Sequence, residues 1–373
     1  MPSDIEPAMQ PPPGVESNFV DPPSILTSSY AVVPLCIVIA TIFVGIRIYT
    51  KAIILRKVVT EDYFLIVAWL AYLGYLPVGL IINKTKPGPG VHMWNVPATQ
   101  IPKYSYNFHV ATILYDVVVI PLKVSILLQF MRIFSPGSTR NYIFWISIAL
   151  IVCNVGYYGG YMLYQIIHCR LSNAYCHDTF FVSACINVVS DVGILILPHR
   201  AIWGLNMPRG KKIALSGVFL IGLFACIAAA IRLSYAVTLR HSDDFTYWMA
   251  KMSLWVFPEF TSGFLVACLP VLPRFANTIS EIPLITRLVS SIRSLSGSRN
   301  VPTNASPHGT ARTGRSNRSK GGMGNRNVTD IEFQELVVET DSRSVVDYDG
   351  GRGSQDKDKK LGISVTRASS NSR

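Results

Sequence analysis

Six polar side chains interrupt long apolar segments of this sequence, and they are the residues best suited to form a site. They are Asp116, Lys123, Asn187, Asp191, Arg232 and Glu259. An ionisable side chain at membrane depth is costly, so each is a functional candidate by default. Asp116 and Lys123 are seven residues apart, which places them on nearly the same helix face and about 10 Å apart along the axis. The alternative is that these charges only hold helices in register, and the pattern favours neither.

Their depths predict which side chains meet. Counting about 1.5 Å per residue from the segment ends, Asp191 and Lys123 fall within several ångströms of the same level. Arg232 falls slightly above Asp116 and Glu259, within reach of its long side chain. The sequence therefore predicts a buried network of three acids, two bases and one amide drawn from four helices. Acids at this depth would also suit a proton-coupled carrier.

The seven cysteines fall into two groups. Five lie inside apolar segments and are predicted to be small buried residues. These are Cys36, Cys153, Cys185, Cys226 and Cys268. Cys169 and Cys176 lie in the connection before the fifth segment, on the predicted extracellular side, where disulfides persist. We expect a disulfide between them, with a pair of free thiols as the alternative.

The segments that hold these residues are long enough to cross a bilayer. Half of the 373 residues are hydrophobic and only 15% are charged, whereas a soluble domain carries about a quarter charged residues. A crossing helix needs about 20 apolar residues. The predicted spans are Tyr30–Tyr49, Asp62–Ile82, Asn107–Met131, Tyr142–Ile167, Thr179–Trp203, Ile213–Val237 and Trp248–Leu272. The fold class is therefore an all-α membrane protein, a seven-transmembrane helix bundle.

Charge outside the spans predicts the orientation. The leader before the first span has acids but no Lys or Arg, and eight Lys or Arg with no acid follow the last span over residues 287–326. Basic segments stay on the cytosolic side, so the N-terminus is predicted outside and the C-terminus inside. The net charge of +12 is explained by attraction to anionic lipid, so the expected partner is the bilayer and not nucleic acid.

Composition also predicts four domains. Residues 1–29 form a proline-rich extracellular leader, predicted to be disordered and without a cleavable signal. Residues 30–275 form the membrane domain. Apolar residues at helical spacing predict an amphipathic interfacial helix over residues 276–296. Residues 297–373, rich in Ser, Gly and Arg, are predicted to be a disordered basic cytosolic tail.

Several function classes lack the residues they need. The sequence has no His-rich metal constellation, nucleotide-binding loop or nucleophile elbow, so we expect neither an enzyme nor a bound cofactor. Lys251 lies at the edge of the seventh span, and Glu259 occupies the middle. Since a retinal Schiff base needs a lysine at mid-depth, no retinal is expected.

The chain also resembles a fungal family of seven-helix integral membrane proteins that carry a rhodopsin domain, with relatives among appressorium receptor-like proteins and the satratoxin-cluster membrane protein. The resemblance covers residues 30–275. The stretches that carry it include Glu61-Asp62-Tyr63, Gly88-Pro89-Gly90-Val91-His92, Asn187-Val188-Val189-Ser190-Asp191, Met207-Pro208-Arg209, Ile231-Arg232 and Cys268-Leu269-Pro270. It implies a rhodopsin-like architecture without implying a chromophore.

Three functions remain open at this stage. The first is a receptor-like protein of the plasma membrane that senses an unknown extracellular cue, either a small molecule or a surface, and engages a cytosolic signalling partner through its tail. The second is a transporter or proton-coupled carrier that uses the mid-depth carboxylates. The third is a structural membrane protein whose buried charges only fix helix positions.

Overall fold

The computed structural model describes residues 6–84, 90–135, 142–168, 176–203 and 209–280. Within these ranges, seven helices are long and apolar enough to cross a membrane. In chain order they are α1 (Leu26–Tyr49), α2 (Thr60–Lys84), α3 (Ile101–Phe134), α4 (Tyr142–His168), α5 (Cys176–Trp203), α6 (Arg209–Arg240) and α7 (Phe245–Cys268). The prediction of an all-α, seven-helix membrane protein is confirmed.

The start of α3 and the end of α7 differ from the predicted spans. Helix α3 begins at Ile101, six residues before the predicted span, because its first turns are helical but not apolar. Helix α7 ends at Cys268, four residues early. Pro270 follows it in a short 3₁₀ turn, Leu269–Val271, where proline cannot supply the N–H that would continue the α-helix. A short helix, α8, follows over Leu272–Ser280.

Consecutive helices run in alternating directions, so the bundle has two distinguishable ends. At one end Ile25, just before α1, donates its backbone N–H to the carbonyl of Gly90 before α3. The Thr246 hydroxyl in the first turn of α7 donates to the Val91 carbonyl there, at 2.7 Å. We call this the leader end. The opposite end, where α1, α3 and α7 finish, is called the tail end.

Burial is inverted relative to a water-soluble protein. Apolar side chains such as Leu35, Val67 and Leu220 are more than half exposed on the outside, while Arg47, Asp116 and other charged residues are buried. Lipid solvates the first group, and the bundle interior must satisfy the second. Helices α3 and α7 are the central ones, since 67% and 61% of their apolar windows are buried, compared with 22–33% for the other five.

Residues 6–25 of the leader are hydrogen-bonded to the connection between α2 and α3. The Ala8 N–H donates to the Val96 carbonyl at 2.9 Å, and the Ala98 N–H donates to the Glu6 carbonyl at 3.0 Å. The Asn18 N–H donates to Oδ1 of Asn95 at 2.9 Å. Pro7 forms an isolated antiparallel bridge with Pro97 in the α2–α3 connection. Helix α1 begins at Leu26, four residues before the first predicted span.

Other domain and disulfide predictions fall outside the described residues. Cys169 lies there, as does the tail over residues 297–373, so the disulfide with Cys176 and the tail's disorder stay predictions. The interfacial helix predicted over residues 276–296 overlaps only the end of α8. The orientation with the N-terminus outside also stays a prediction.

Candidate functional site

Asn187 of α5 is the hub of a buried polar group at the middle of the bundle. Its side chain is fully buried. Its Oδ1 accepts hydrogen bonds from the Tyr115 hydroxyl at 3.0 Å, the Lys123 ammonium at 2.9 Å and the Tyr158 hydroxyl at 2.8 Å. Its Nδ2 donates to carboxylates of α5 and α7, both at 3.1 Å. One amide thus joins four helices, α3, α4, α5 and α7, through its acceptor and donor atoms.

Two ion pairs complete this group. The Lys123 ammonium lies 2.9 Å from the Asp191 carboxylate, and the Arg232 Nε lies 2.9 Å from the Glu259 carboxylate. Arg232 also donates to the Tyr115 hydroxyl at 2.8 Å. The Arg232 and Glu259 side chains are each 6% exposed, so removing either partner would leave a buried charge uncompensated. We call the whole group the mid-depth network: Tyr115, Lys123, Tyr158, Asn187, Ser190, Asp191, Arg232 and Glu259.

Asp116 stands apart from the five other predicted site residues. The sequence predicted that Arg232 would reach both Asp116 and Glu259, but Arg232 is bonded to Glu259 and Tyr115. Adjacent helical residues point about 100° apart, so Tyr115 faces α7 while its neighbour faces elsewhere. Asp116 is 0% exposed, and neither of its carboxylate oxygens has a hydrogen-bond partner.

A second buried charged group lies at the tail end and centres on Arg47 of α1. Its guanidinium donates to the Asp62 carboxylate at 2.8 Å, to the Gln129 side chain at 2.6 Å and to the Ala267 carbonyl. It also lies 3.4 Å from the Glu61 carboxylate. Arg47 is 1% exposed, and its contacts join α1 to α2, α3 and α7.

Two further cations, Lys51 and Arg132, contact the same acids. Lys51 lies 3.1 Å from Glu61 and 3.3 Å from Asp62. Arg132, at the end of α3, lies 3.6 Å from Glu61 with 34% of its side chain exposed. Burial and the charges of Arg132 and Lys51 lower the pKa of nearby Lys57. We call Arg47, Lys51, Glu61, Asp62, Gln129 and Arg132 the tail-end cluster.

The tail-end cluster was not predicted from the sequence. The signal was present, because Arg47 lies inside the first predicted span and Asp62 begins the second. The rule that marks a charge at membrane depth as a candidate therefore applied to both. Tyr115 and Tyr158 of the mid-depth network were also missed, since a tyrosine in an apolar segment is usually an ordinary packing residue.

A cavity of about 60 Å³ lies between α3, α5, α6 and α7. Lys123, Asp191 and Glu259 line its polar part. Ile126, Phe130, Val218 and Val266 are among the apolar residues that line the rest. A space of this size with polar residues on one side can hold a few water molecules.

The described residues do not fit a covalently bound retinal or a metal. Lys123 is committed to Asp191, Asn187 and Ser190, and the cavity beside it is far below the 300–1,000 Å³ typical of organic ligand pockets. The Lys251 ammonium lies over the rings of Tyr247 and Trp248, at 4.3 and 4.8 Å, in the second turn of α7. In the part of the chain that the structure describes, no group of three His, Cys, Asp or Glu side chains is placed to hold a metal ion.

Comparisons with known proteins agree with this architecture. The family described as the fungal rhodopsin domain matches residues 46–278, a range that includes both charged groups. The "Fugralins biosynthesis cluster protein 2" of Gibberella zeae is 32% identical over 80% of this chain and 76% of its own length. A "SAT4 family membrane protein" of Emericella nidulans is 31% identical over 52% of each chain.

A third relative, "Receptor GIN3" of Arthrobotrys oligospora, is 24% identical over 77% of this chain and 72% of its own length. No solved structure matches the chain. The resemblance seen in the sequence motifs is confirmed, and so is a multi-pass membrane protein. The chain belongs to the fungal rhodopsin domain family.

Proposed function

We propose that this protein is a receptor-like membrane protein that senses an extracellular cue at its leader end and reports it at its tail end. The carrying observation is that α3 and α7 each contribute to both buried charged groups. Helix α3 supplies Lys123 to the mid-depth network and Gln129 to the tail-end cluster. Helix α7 supplies Glu259 to the first and the Ala267 carbonyl to the second.

The two groups are close along these helices. Lys123 and Gln129 are separated by about 9 Å of helix rise, and Glu259 and Ala267 by about 12 Å. Because a packed helix moves as a stiff unit, a shift of α3 or α7 at mid-depth changes the contacts that Arg47 makes with both. Such shared elements supply a physical basis for coupling between two sites. A proposed cytosolic partner would read the change through the tail-end surface and the C-terminal tail.

The family and one relative support this proposal. A protein named as a receptor aligns with 77% of this chain at 24% identity. The partners proposed for this chain are the lipid bilayer, an extracellular small molecule or surface cue, and a cytosolic signalling protein. The plasma membrane is the proposed location, and no enzymatic activity and no retinal are proposed.

A truncation separates sensing from signalling. Removing residues 287–373 should abolish cue-dependent responses in cells, because the proposed partner contact is lost. The same truncated protein, once purified, should keep any thermal shift that the cue produces in the full chain, since the membrane domain is intact. Unchanged cellular responses after truncation would remove the signalling role of the tail.

The cavity next to Lys123, Asp191 and Glu259 favours a second candidate, a transporter or proton-coupled carrier. In proteoliposomes, a carrier should give substrate or proton flux that is lost in Glu259→Gln. Gly263→Ala tests the cavity itself, because the added Cβ would lie 2.9 Å from Leu122, which lines the same space. A carrier that uses this cavity should lose flux in this variant as well. Lack of flux for all candidate substrates would count against this function.

A purely structural role predicts a different result from the receptor and carrier functions. If the buried pairs only hold helices together, each of the single variants Lys123→Asp and Asp191→Lys should lower stability. The double variant, in which the two charges are exchanged, should regain it. No cue response and no flux should then depend on which residue carries which charge.

A further inference from the structure

Three cations at the tail end converge on a single carboxylate oxygen, Oε1 of Glu61. This oxygen lies 3.1 Å from the Lys51 ammonium and 3.4 Å from the Arg47 guanidinium. It also lies 3.6 Å from the Arg132 guanidinium. The neighbouring acid, Asp62, is contacted by Arg47 and Lys51. Two acids thus face three cations, and the tail-end cluster keeps a net positive charge.

Arg132, in the last turn of α3, is the least tightly held of these cations. Its contact with Glu61 at 3.6 Å is longer than a hydrogen bond, whereas Lys51 donates to the same oxygen at 3.1 Å. The Arg132 side chain is 34% exposed, compared with 12% for Lys51 and 1% for Arg47. Among the described residues, Glu61 is the one acid that Arg132 contacts. The surplus positive charge is therefore accessible at the surface, on a side chain with several N–H donors.

The connection between α1 and α2 brings a further cation to this surface. The backbone N–H of Lys57 donates to the Lys51 carbonyl at 2.9 Å, which holds the connection against the residues that follow α1. Burial lowers the pKa of Lys57, and the positive charges of Arg132 and Lys51 lower it further. Because cations destabilise one another here, an anion placed among them gains attraction from each.

This basic surface lies where a bilayer has its headgroups. One apolar span ends at Ile54, three residues before Lys57, and another ends at Phe134, two residues after Arg132. Val58, next to Lys57, is an apolar side chain that is 44% exposed. Cations at the ends of apolar spans meet the phosphates of anionic lipids, and exposed apolar neighbours meet the acyl chains. These features favour a lipid over a soluble anion or an acidic peptide.

The types of the two accessible cations favour one kind of headgroup. A guanidinium binds two oxygens of a phosphate at once, and a lysine ammonium adds a compact charge. A phosphate monoester offers three terminal oxygens and a charge of about −1.5 to −2 at neutral pH. It can therefore engage both cations together. A phosphate diester has fewer free oxygens and a single negative charge, so it complements the pair less well.

We propose that Arg132 and Lys57, at the rim of the tail-end cluster, bind the phosphate monoester of an anionic lipid in the adjacent leaflet. The phosphate becomes the closest anionic partner of Arg132, while Arg47 and Lys51 continue to hold Glu61 and Asp62. This binding site goes beyond the proposed receptor function and does not rest on it, because lipid binding is measured on the purified protein without any cue.

The test uses the full chain in phosphatidylcholine nanodiscs that contain increasing fractions of phosphatidic acid, a phosphate monoester. Phosphatidic acid should raise the unfolding temperature in a saturable way, because it binds the folded chain. Phosphatidylglycerol, a phosphate diester, is compared at equal total negative charge, and its half-saturating fraction should be at least roughly fivefold higher. Equal responses to the two lipids, or no saturable shift with phosphatidic acid, overturn the proposal.

Soluble phosphates distinguish the membrane from the solution as the source of the anion. Inorganic phosphate and glycerol phosphate are added to nanodiscs of phosphatidylcholine alone, in amounts that match the phosphatidic acid. Neither should reproduce the shift, since acyl chains hold the lipid headgroup at the bilayer surface. An equal shift with glycerol phosphate would assign the surface to a soluble phosphate or a phosphorylated protein and overturn the lipid assignment.

Variants locate the site. Arg132→Gln should weaken the binding of phosphatidic acid by roughly tenfold, and Lys57→Gln by about fivefold. Arg132→Lys keeps the charge but loses the two-pronged guanidinium, so it should also weaken binding. Lys103→Gln is the matched control, because it removes one positive charge from an exposed position near the start of α3, and it should bind as the unmodified protein does. Equal losses in the Lys103 and Arg132 variants, or unchanged binding in Arg132→Lys, would place binding on diffuse surface charge and overturn the site.

Discussion

The tail-end cluster and the mid-depth network are two buried charged groups in one bundle, and their charges are matched to different degrees. In the tail-end cluster, the acids Glu61 and Asp62 are both contacted by Arg47 and by Lys51. At mid-depth two acids are matched one to one by cations, and Asp116, beside the network, has none. The first region has more cations than acids, and the second has one acid too many.

This difference indicates different roles for the two regions. A group in which every charge has a partner is what helix connection requires, because each buried group must be satisfied within the protein. An acid left unmatched at 0% exposure is unfavourable for stability while it is charged, so it does not help to connect the helices. The tail-end cluster therefore corresponds to the structural reading of buried charge, whereas Asp116 does not.

The largest expected effect is at the tail end. Arg47→Met should lower the free energy of unfolding by about 4 kcal/mol, because breaking a buried ion pair leaves charge uncompensated. Glu61 and Asp62, both 4% exposed, would keep Lys51, and Glu61 would also keep the more exposed Arg132. Unfolding in mixed micelles with increasing SDS measures the change.

A second variant checks the cause of this loss. Adding Asp62→Leu to Arg47→Met removes the acid that the guanidinium contacts most closely, so part of the lost stability should return. If the losses of the two single variants simply add in the double variant, the two residues are not coupled. The cluster would then not account for the stability of the tail end.

A smaller loss is expected at mid-depth. Glu259→Gln keeps hydrogen-bonding capacity toward Asn187 and Tyr115 but removes the charge that pairs with Arg232. The free energy of unfolding should fall by about 3 kcal/mol, the lower end of the range for a broken buried pair. A double-mutant cycle with Arg232→Met measures the coupling free energy between the two residues. A coupling near zero would show that their ion pair does not stabilise the fold.

Asp116→Asn should act in the opposite direction. Neutralising an unmatched buried carboxylate should raise the free energy of unfolding by about 1 kcal/mol. Asp191→Asn is the matched control, because the same chemical change there breaks the ion pair with Lys123 and should lower stability. Equal losses in the two variants would mean that Asp116 is matched like its neighbour, and the contrast between the regions would fail.

The sequence predicted the seven helices and the two mid-depth ion pairs. It did not predict why the acids are fully matched in the tail-end cluster and Asp116 is not. Apolar length alone sets a membrane span, and helix rise alone brings Lys123 to the level of Asp191. Which neighbour captures Arg232 depends on side-chain direction: Tyr115 and Asp116 are adjacent in the chain but face different helices. The packing of residues 6–25 on the α2–α3 connection depends on long-range backbone pairing, which composition does not encode. The same holds for Arg47, whose four partners are distributed over α2, α3 and α7.

The smallest expected effect sharpens the comparison within the tail-end cluster itself. Arg132→Met removes a cation that lies 3.6 Å from Glu61 and is 34% exposed, so water and the remaining cations Arg47 and Lys51 still satisfy that acid. The free energy of unfolding should change by less than about 1 kcal/mol, as for other solvent-screened pairs. The measurement is the same SDS titration used for Arg47→Met, at low and high salt, and a salt-sensitive small loss is expected. A loss as large as that of Arg47→Met would show that Arg132 is as important to the tail-end cluster as Arg47. The exposed fraction of a side chain would then not predict its contribution to the cluster.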